Sequence, residues 1–186
     1  MKLVIKHNQT GEIIIYGECE SLKELVEKNK SNLSYADLFW NDFSNADLSC
    51  ADLSSASLSN SNLFNIDLSN ANLSHADLSK SNLSHANLSC SNLANITLIE
   101  ADVSYTNLSN TNLFCADFSR ANLSYTNLSH SNLTNTNFSD ANLFHTNFYD
   151  AKFNDTDFSG TNLTRIKIKS NQKDQIIKAL KWKIEE

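Results

Sequence analysis

Residues 72–93 read NLSHADLSKSNLSHANLSCSNL, and leucine returns at every fifth position, at Leu73, Leu78, Leu83, Leu88 and Leu93. A helical face repeats every ~3.6 residues and a strand face every ~2, so this pattern is neither. The same phase runs outward in both directions from the quoted stretch. From Leu33 to Leu163 there are 27 in-phase apolar positions without an insertion, all Leu except Phe43, Val103, Phe118, Phe138, Phe148, Phe153 and Phe158. Two residues before each stands a small residue, usually Ala, Ser or Thr, as at Ala36, Ala46 and Ala51, and one before is almost always Asn or Asp. A fixed period of this kind marks a repeat array, in which stacked units bury one continuous core that no single unit could bury alone.

Such a chain must turn often, yet it contains only 3 Gly and no Pro. Asn and Ser, which are abundant, are therefore the expected turn formers. The run ADLSCADLSSASLSNSNL, residues 46–63, together with its continuations resembles the pentapeptide-repeat family, whose unit is approximately A(D/N)LXX. The resemblance covers residues 31 to about 165 and implies a right-handed quadrilateral β-helix, with one pentapeptide on each side and twenty residues per coil. The Leu and the small residue two before it would point inward, and coils would stack at the ~4.8 Å spacing of β-structure.

Residues twenty apart then become neighbours, and the outer positions can be sorted into columns. Lys80, Glu100, Arg120 and Asp140 fall in one column and alternate in sign, like favourable cross-strand pairs. Beside it His85, Tyr105, Tyr125, His145 and Arg165 form a column of flat side chains suited to stacking, a candidate protein-binding surface. On another side Asp37, Asp77, Asp117 and Asp157 recur every second coil, with Ser57, Thr97 and Asn137 between them, a candidate acidic face. Thr at positions 106, 111, 126, 136, 146, 156 and 161, and the Phe cluster of the later half, predict a change of packing there, with buried hydroxyls bonded to carbonyls.

The ends of the chain are not repetitive. KLVIKH and EIIIYGE flank NQTG, a hairpin signature, and SLKELVEKNK predicts a short helix opened by a Ser21/Glu24 capping box with Leu22, Leu25 and Val26 on its apolar face. Three segments are expected: a hairpin and helix cap over 1–30, the β-helix over 31–166 and a C-terminal amphipathic helix over 167–186. That last helix carries Ile176, Ile177, Leu180 and Ile184 on one face, which would either cap the rod or join two copies as a homodimer.

The charges are unevenly placed: residues 1–30 balance, 31–166 carry −9 and 167–186 carry +3, for a net charge of −6. An acidic rod resembles the pentapeptide-repeat proteins that protect DNA gyrase, so one reading is an acidic DNA mimic directed at a type II topoisomerase such as DNA gyrase or topoisomerase IV. The other is a non-enzymatic scaffold or protein-binding module with an unknown protein partner. Direct binding to nucleic acid is not expected, because positive charge is confined to a short tail. Catalysis is not expected either, since Ser, His and Asp mostly lie on a convex outer wall that neither excludes water nor orients a nucleophile. No metal or cofactor is implied: Cys19, Cys50, Cys90 and Cys115 lack ligand spacing and read as small reduced hydrophobes. The absence of a signal-peptide core and of a run of ~20 apolar residues predicts a soluble cytoplasmic protein.

Overall fold

The computed structural model describes residues 1–181, with Lys181 through its backbone only. Two antiparallel strands, β1 (Lys2–Lys6) and β2 (Ile13–Glu18), form a hairpin, and helix α1 (Leu22–Lys28) follows. A single 3-10 turn, Lys30–Asn32, leads into the array, and a second, Ser170–Gln172, leads out of it into helix α2 (Lys173–Lys181). Between them the chain is a right-handed quadrilateral β-helix. Parallel bridges join residues twenty apart without interruption from Asp37↔Ser57 to Asn147↔Lys167.

Each five-residue unit repeats one set of bonds. On one side of a coil, Asn82 N donates to Ser61 O of the coil before at 3.0 Å, and Leu83 N donates to Asp102 O of the coil after at 2.7 Å. At the corner that follows, Ala86 N donates back to Leu83 O at 3.0 Å, closing a four-residue turn whose third residue, His85, has φ +63°. A positive φ at that position is the signature of a type II turn, where Gly is normally preferred. Here all 27 corners from position 35 to position 165 lie between +51° and +67°, and Gly160 alone among them is glycine. Asn and Asp, which tolerate this region, hold ten of the corners; His, Tyr, Cys, Lys, Arg, Glu, Ser and Trp hold the remaining non-glycine ones.

The Asn or Asp before each Leu stabilises the following corner. Its Oδ1 accepts from the backbone N–H two residues on, as Asp77 does from Ser79 at 2.9 Å, an Asx turn that satisfies a donor the coil leaves unpaired. The same side chains form ladders between coils, for example Asn147 Nδ2 to Asn127 Oδ1 at 2.9 Å. The consensus Asn/Asp is therefore structural, although it faces outward.

The interior is filled as the pattern requires. The in-phase Leu and Phe from Leu33 to Phe158, and the Ala, Ser, Thr and Ile two before them from Ala36 to Thr156, are buried. Fully burying a Leu or Phe contributes about 1.5–3 kcal/mol, so the core is a long series of equivalent contributions. In the later half Phe118, Phe138 and Phe158 stack in one column at 5.2 and 5.5 Å, with Phe148 edge-on to Phe138. The inward Thr hydroxyls, all buried except that of half-buried Thr161, reach carbonyls, as expected. Those of Thr106, Thr126, Thr136, Thr146 and Thr156 donate to the coil before, and those of Thr111 and Thr161 to their own coil.

Both ends of the stack are covered. At the first coil, Asp37 N donates to Lys6 O of β1, Asp52 N to Lys30 O, and Asp47 N to Glu27 Oε1 of α1. Ser21 caps α1 by accepting from Glu24 N, while the Glu24 carboxylate accepts from Glu20 N, one residue earlier than a strict capping box places it. At the last coil Gln172, 4% exposed, donates to Phe148 O and Ala151 O and accepts from Lys169 N and Asp150 N. Ile176 of α2 is 5% exposed within the core cluster, and Ala179 packs against that cluster.

Candidate protein-contact face

The corner at His85 stands above every coil of the middle and late array. A side chain two residues after the Leu is turned out by the left-handed corner, and the parallel stack brings the next such side chain over it twenty residues later. His85 stacks on Tyr105 at 5.0 Å and 2°, Tyr105 on Tyr125 at 4.8 Å and 6°, and Tyr125 on His145 at 4.9 Å and 8°. Arg165 continues the column, its guanidinium 3.4 Å from His145 Nε2. All five residues of the expected column therefore come together. Because the rings lie face to face along the rod, their edges, with two phenol hydroxyls and the imidazoles, face outward. Tyr105 is 53% and Tyr125 45% exposed.

Two further aromatic residues enlarge this surface. Phe64 lies edge-on to His85 at 5.6 Å, and Phe144 lies edge-on to both Tyr125 and His145. Both sit one residue after an in-phase Leu, where Ser is usual, and that departure is the signal for them in the sequence. One corner away, Lys80 and Arg120 flank Glu100 at 3.8 and 3.4 Å, so the alternating column forms ion pairs along the stack. Such exposed pairs are each worth only about 0–1 kcal/mol.

The acidic column is less available than its composition suggests. Asp37, Asp77, Asp117 and Asp157 do align in one ladder with Ser57, Thr97 and Asn137 between them, but all four are half-buried. Asp77 Oδ1 accepts from the backbone and hydroxyl of Ser79, Asp117 Oδ1 from Ser119 N and Asn137 Nδ2, and Asp157 Oδ1 from Ser159 N. These carboxylates serve their own corners first. Near the N-terminal cap, Asp47 is held well below the usual carboxylate range, chiefly by the Lys30 ammonium and then by Ser49. Asp42 is lowered by the bonds from Ser44.

Of the C-terminal residues, Ile176 is buried, whereas Ile177 and Leu180 are exposed. Ile184 lies outside the described residues. The four cysteines are free thiols: Cys19 is buried, whereas Cys50, Cys90 and Cys115 sit at left-handed corners, the first two exposed. Among the described residues no group of three or more His, Cys, Asp or Glu is placed to hold a metal ion. No helix of the described residues is long and apolar enough to cross a membrane.

The family model described as pentapeptide repeats matches in eight copies, over residues 31–70, 66–104, 76–113, 91–124 and 121–160. Among solved structures, Rfr23, a pentapeptide repeat protein from the cyanobacterium Cyanothece 51142, is 37% identical over 51% of this chain, with a TM-score of 0.41. The match spans 61% of the Rfr23 chain. HetL, a pentapeptide repeat protein involved in heterocyst differentiation regulation in Nostoc sp. strain PCC 7120, is 26% identical over 72% of this chain and 79% of its own, with a TM-score of 0.25. QnrB1, a plasmid-mediated fluoroquinolone resistance protein, is 21% identical over 81% of this chain and 91% of its own, with a TM-score of 0.33. No curated protein matches the chain.

Proposed function

The chain belongs to the pentapeptide-repeat family, and from that premise we propose that it is a non-enzymatic scaffold that binds a protein through the ring-lined corner of its β-helix. The observation that carries this reading is the ladder His85–Tyr105–Tyr125–His145, already stacked and still exposed at its edges. Tyr is favoured in contact surfaces because it offers area and a hydroxyl at low conformational cost. Here the stack orders the rings before any partner arrives, which lowers the entropy lost on binding. A pull-down from the source cell tests it. The double variant Tyr105→Ala/Tyr125→Ala should lose the partner that the unaltered chain retains, and unchanged binding would reject this corner as the site.

The second reading, an acidic mimic of DNA that binds or protects a type II topoisomerase, is favoured by the −9 charge of residues 31–166. Against it, the aspartates of the Asp37–Asp157 ladder recur every second coil, ~10 Å apart, whereas B-DNA carries one charge per ~1.7 Å of its axis. A supercoiling assay separates the two readings: excess protein without effect on gyrase, with or without a quinolone, removes the mimic.

A further inference from the structure

The two corner columns that bound one side of the prism are self-complementary under reversal over four coils. That side runs from the Lys80 corner to the His85 corner and repeats in every coil. Read along the rod, its ring column is His85, Tyr105, Tyr125, His145, the same in both directions. Its charge column is Lys80, Glu100, Arg120, Asp140, which becomes its own opposite in sign when reversed. The centre of both sequences falls between the same two coils, those of Tyr105 and Tyr125. We infer that this side is an isologous interface for a second copy of this chain, two rods lying antiparallel about a two-fold axis at that level. This rests on reading the ring column as a contact surface, and it names the partner.

The geometry follows from the symmetry alone. A two-fold axis lying in the plane of the interface, perpendicular to both rods, keeps each corner facing its own equivalent and reverses the order of coils. Lys80 then faces Asp140 of the second copy and Glu100 faces Arg120, each pair occurring twice, as an isologous contact requires. Tyr105 meets Tyr125 and His85 meets His145 through their outward edges. In the ladder between the two corners, Asn82 meets Asn142 and Asp102 meets Asn122, so no two carboxylates are opposed. One coil further out, Phe64 comes beside Arg165, a cation–π pairing. Parallel rods superposed by translation would instead put Lys80 against Lys80 and Glu100 against Glu100.

The other two corner columns lack this property. The one from Tyr35 to Asp155 and the one from Cys50 to Asp150 each carry a charged residue only at the last position, and neither reads the same reversed. The period also restricts the partner: rings repeating at 4.8–5.0 Å match a surface built on the same repeat, which a second coil stack supplies. The matching strip is roughly 25 Å long and about 12 Å wide from the β spacings. That is smaller than the ~800 Å² per partner of a standard interface, which places the association in the weak, concentration-dependent class.

Sedimentation velocity of the full chain across a wide concentration range, in low and in high salt, tests this. A monomer–dimer equilibrium weakened by salt is expected, whereas a monomer throughout overturns the inference. The decisive arm uses Glu100→Lys and Arg120→Glu, both at exposed corners, with circular dichroism as the check on folding. Each alone opposes like charges twice per dimer and should weaken association at least about tenfold. Mixed together, the two variants place the introduced lysine of one chain opposite the introduced glutamate of the other, while the native Arg120 of the first still faces the native Glu100 of the second. The dimer should then return as a heterodimer. No rescue on mixing overturns the antiparallel register, since a purely intrachain effect cannot be repaired by a second chain. A dimer unaffected by Tyr105→Ala/Tyr125→Ala overturns the role of the ring column. If the chain stays monomeric while that double variant still loses a partner in the pull-down, the contact-face reading stands and the second copy does not.

Discussion

The corner at Cys90 offers a direct measure of the strain this fold stores. Its thiol is exposed and free of any disulfide, its φ is +60°, and its backbone N–H donates to Ser109 O at 3.0 Å whatever side chain it bears. Holding an L-residue in the left-handed region costs about 1–2 kcal/mol, and glycine escapes that cost. Glycine also leaves a more flexible unfolded chain, a penalty of roughly 0.5–1 kcal/mol. Cys90→Gly should therefore stabilise the protein by about 0.5–1 kcal/mol after the two effects offset. Cys90→Ala keeps the Cβ clash and should be close to neutral. Cys90→Val adds branching at a φ where β-branched residues are outliers and should destabilise by more than about 1 kcal/mol. The assay is urea unfolding under reducing conditions, comparing midpoints at equal slope. The order Gly, then Cys and Ala, then Val is the expected result. Val as stable as Gly, or Gly clearly below Ala, would refute the account of the corners as strained positions held by the stack.

Two further predictions concern the ends of the rod. Gln172→Ala removes the side chain that donates twice and accepts twice at the last coil, leaving Phe148 O and Ala151 O without that partner, a cost of about 1–3 kcal/mol. Amide exchange should quicken at Asp150, Ala151 and α2 while the middle coils stay protected, and unaltered exchange at that end would dispose of Gln172 as its latch. At the other end, the Lys30 ammonium and Ser49 depress the Asp47 carboxyl, so its contribution is present above its unfolded pKa and lost as pH falls through the folded one. The deficit of Asp47→Asn should be largest above about pH 4 and shrink below it. Since Asp47 is exposed, the deficit should be small and salt-sensitive, and a deficit independent of pH would contradict the linkage.

Much of this is legible in the sequence, for a reason peculiar to the fold. In a coil stack the neighbour of a residue is always the one twenty further on, so the ring column and the charge ladder can be read by counting. Phe64 and Phe144 escape a count confined to the corners, because they occupy the position beside the corner. The turn chemistry is only half visible. Asn and Ser are the expected corner formers in place of Gly, yet Trp40, Tyr105 and Arg120 adopt the same positive φ, because tertiary stacking overrides local preference. The outward Asn and Asp read as surface, whereas three of the four expected acidic-face residues brace their own corners.

The period of five by itself determined which residues enter the core, since a repeat that buries Leu and a small residue in strict phase allows one in-and-out pattern, while the number of coils followed from the four-sided coil that the family resemblance implies. Tertiary structure alone decided what closes the stack. Gln172, Lys6 and Lys30 lie in segments with no period to count, and they meet the terminal coils only because those coils have backbone groups left to satisfy. It also decided which outward polar atoms are free, because hydrogen bonds that claim one carboxylate oxygen depend on where the next corner's N–H points.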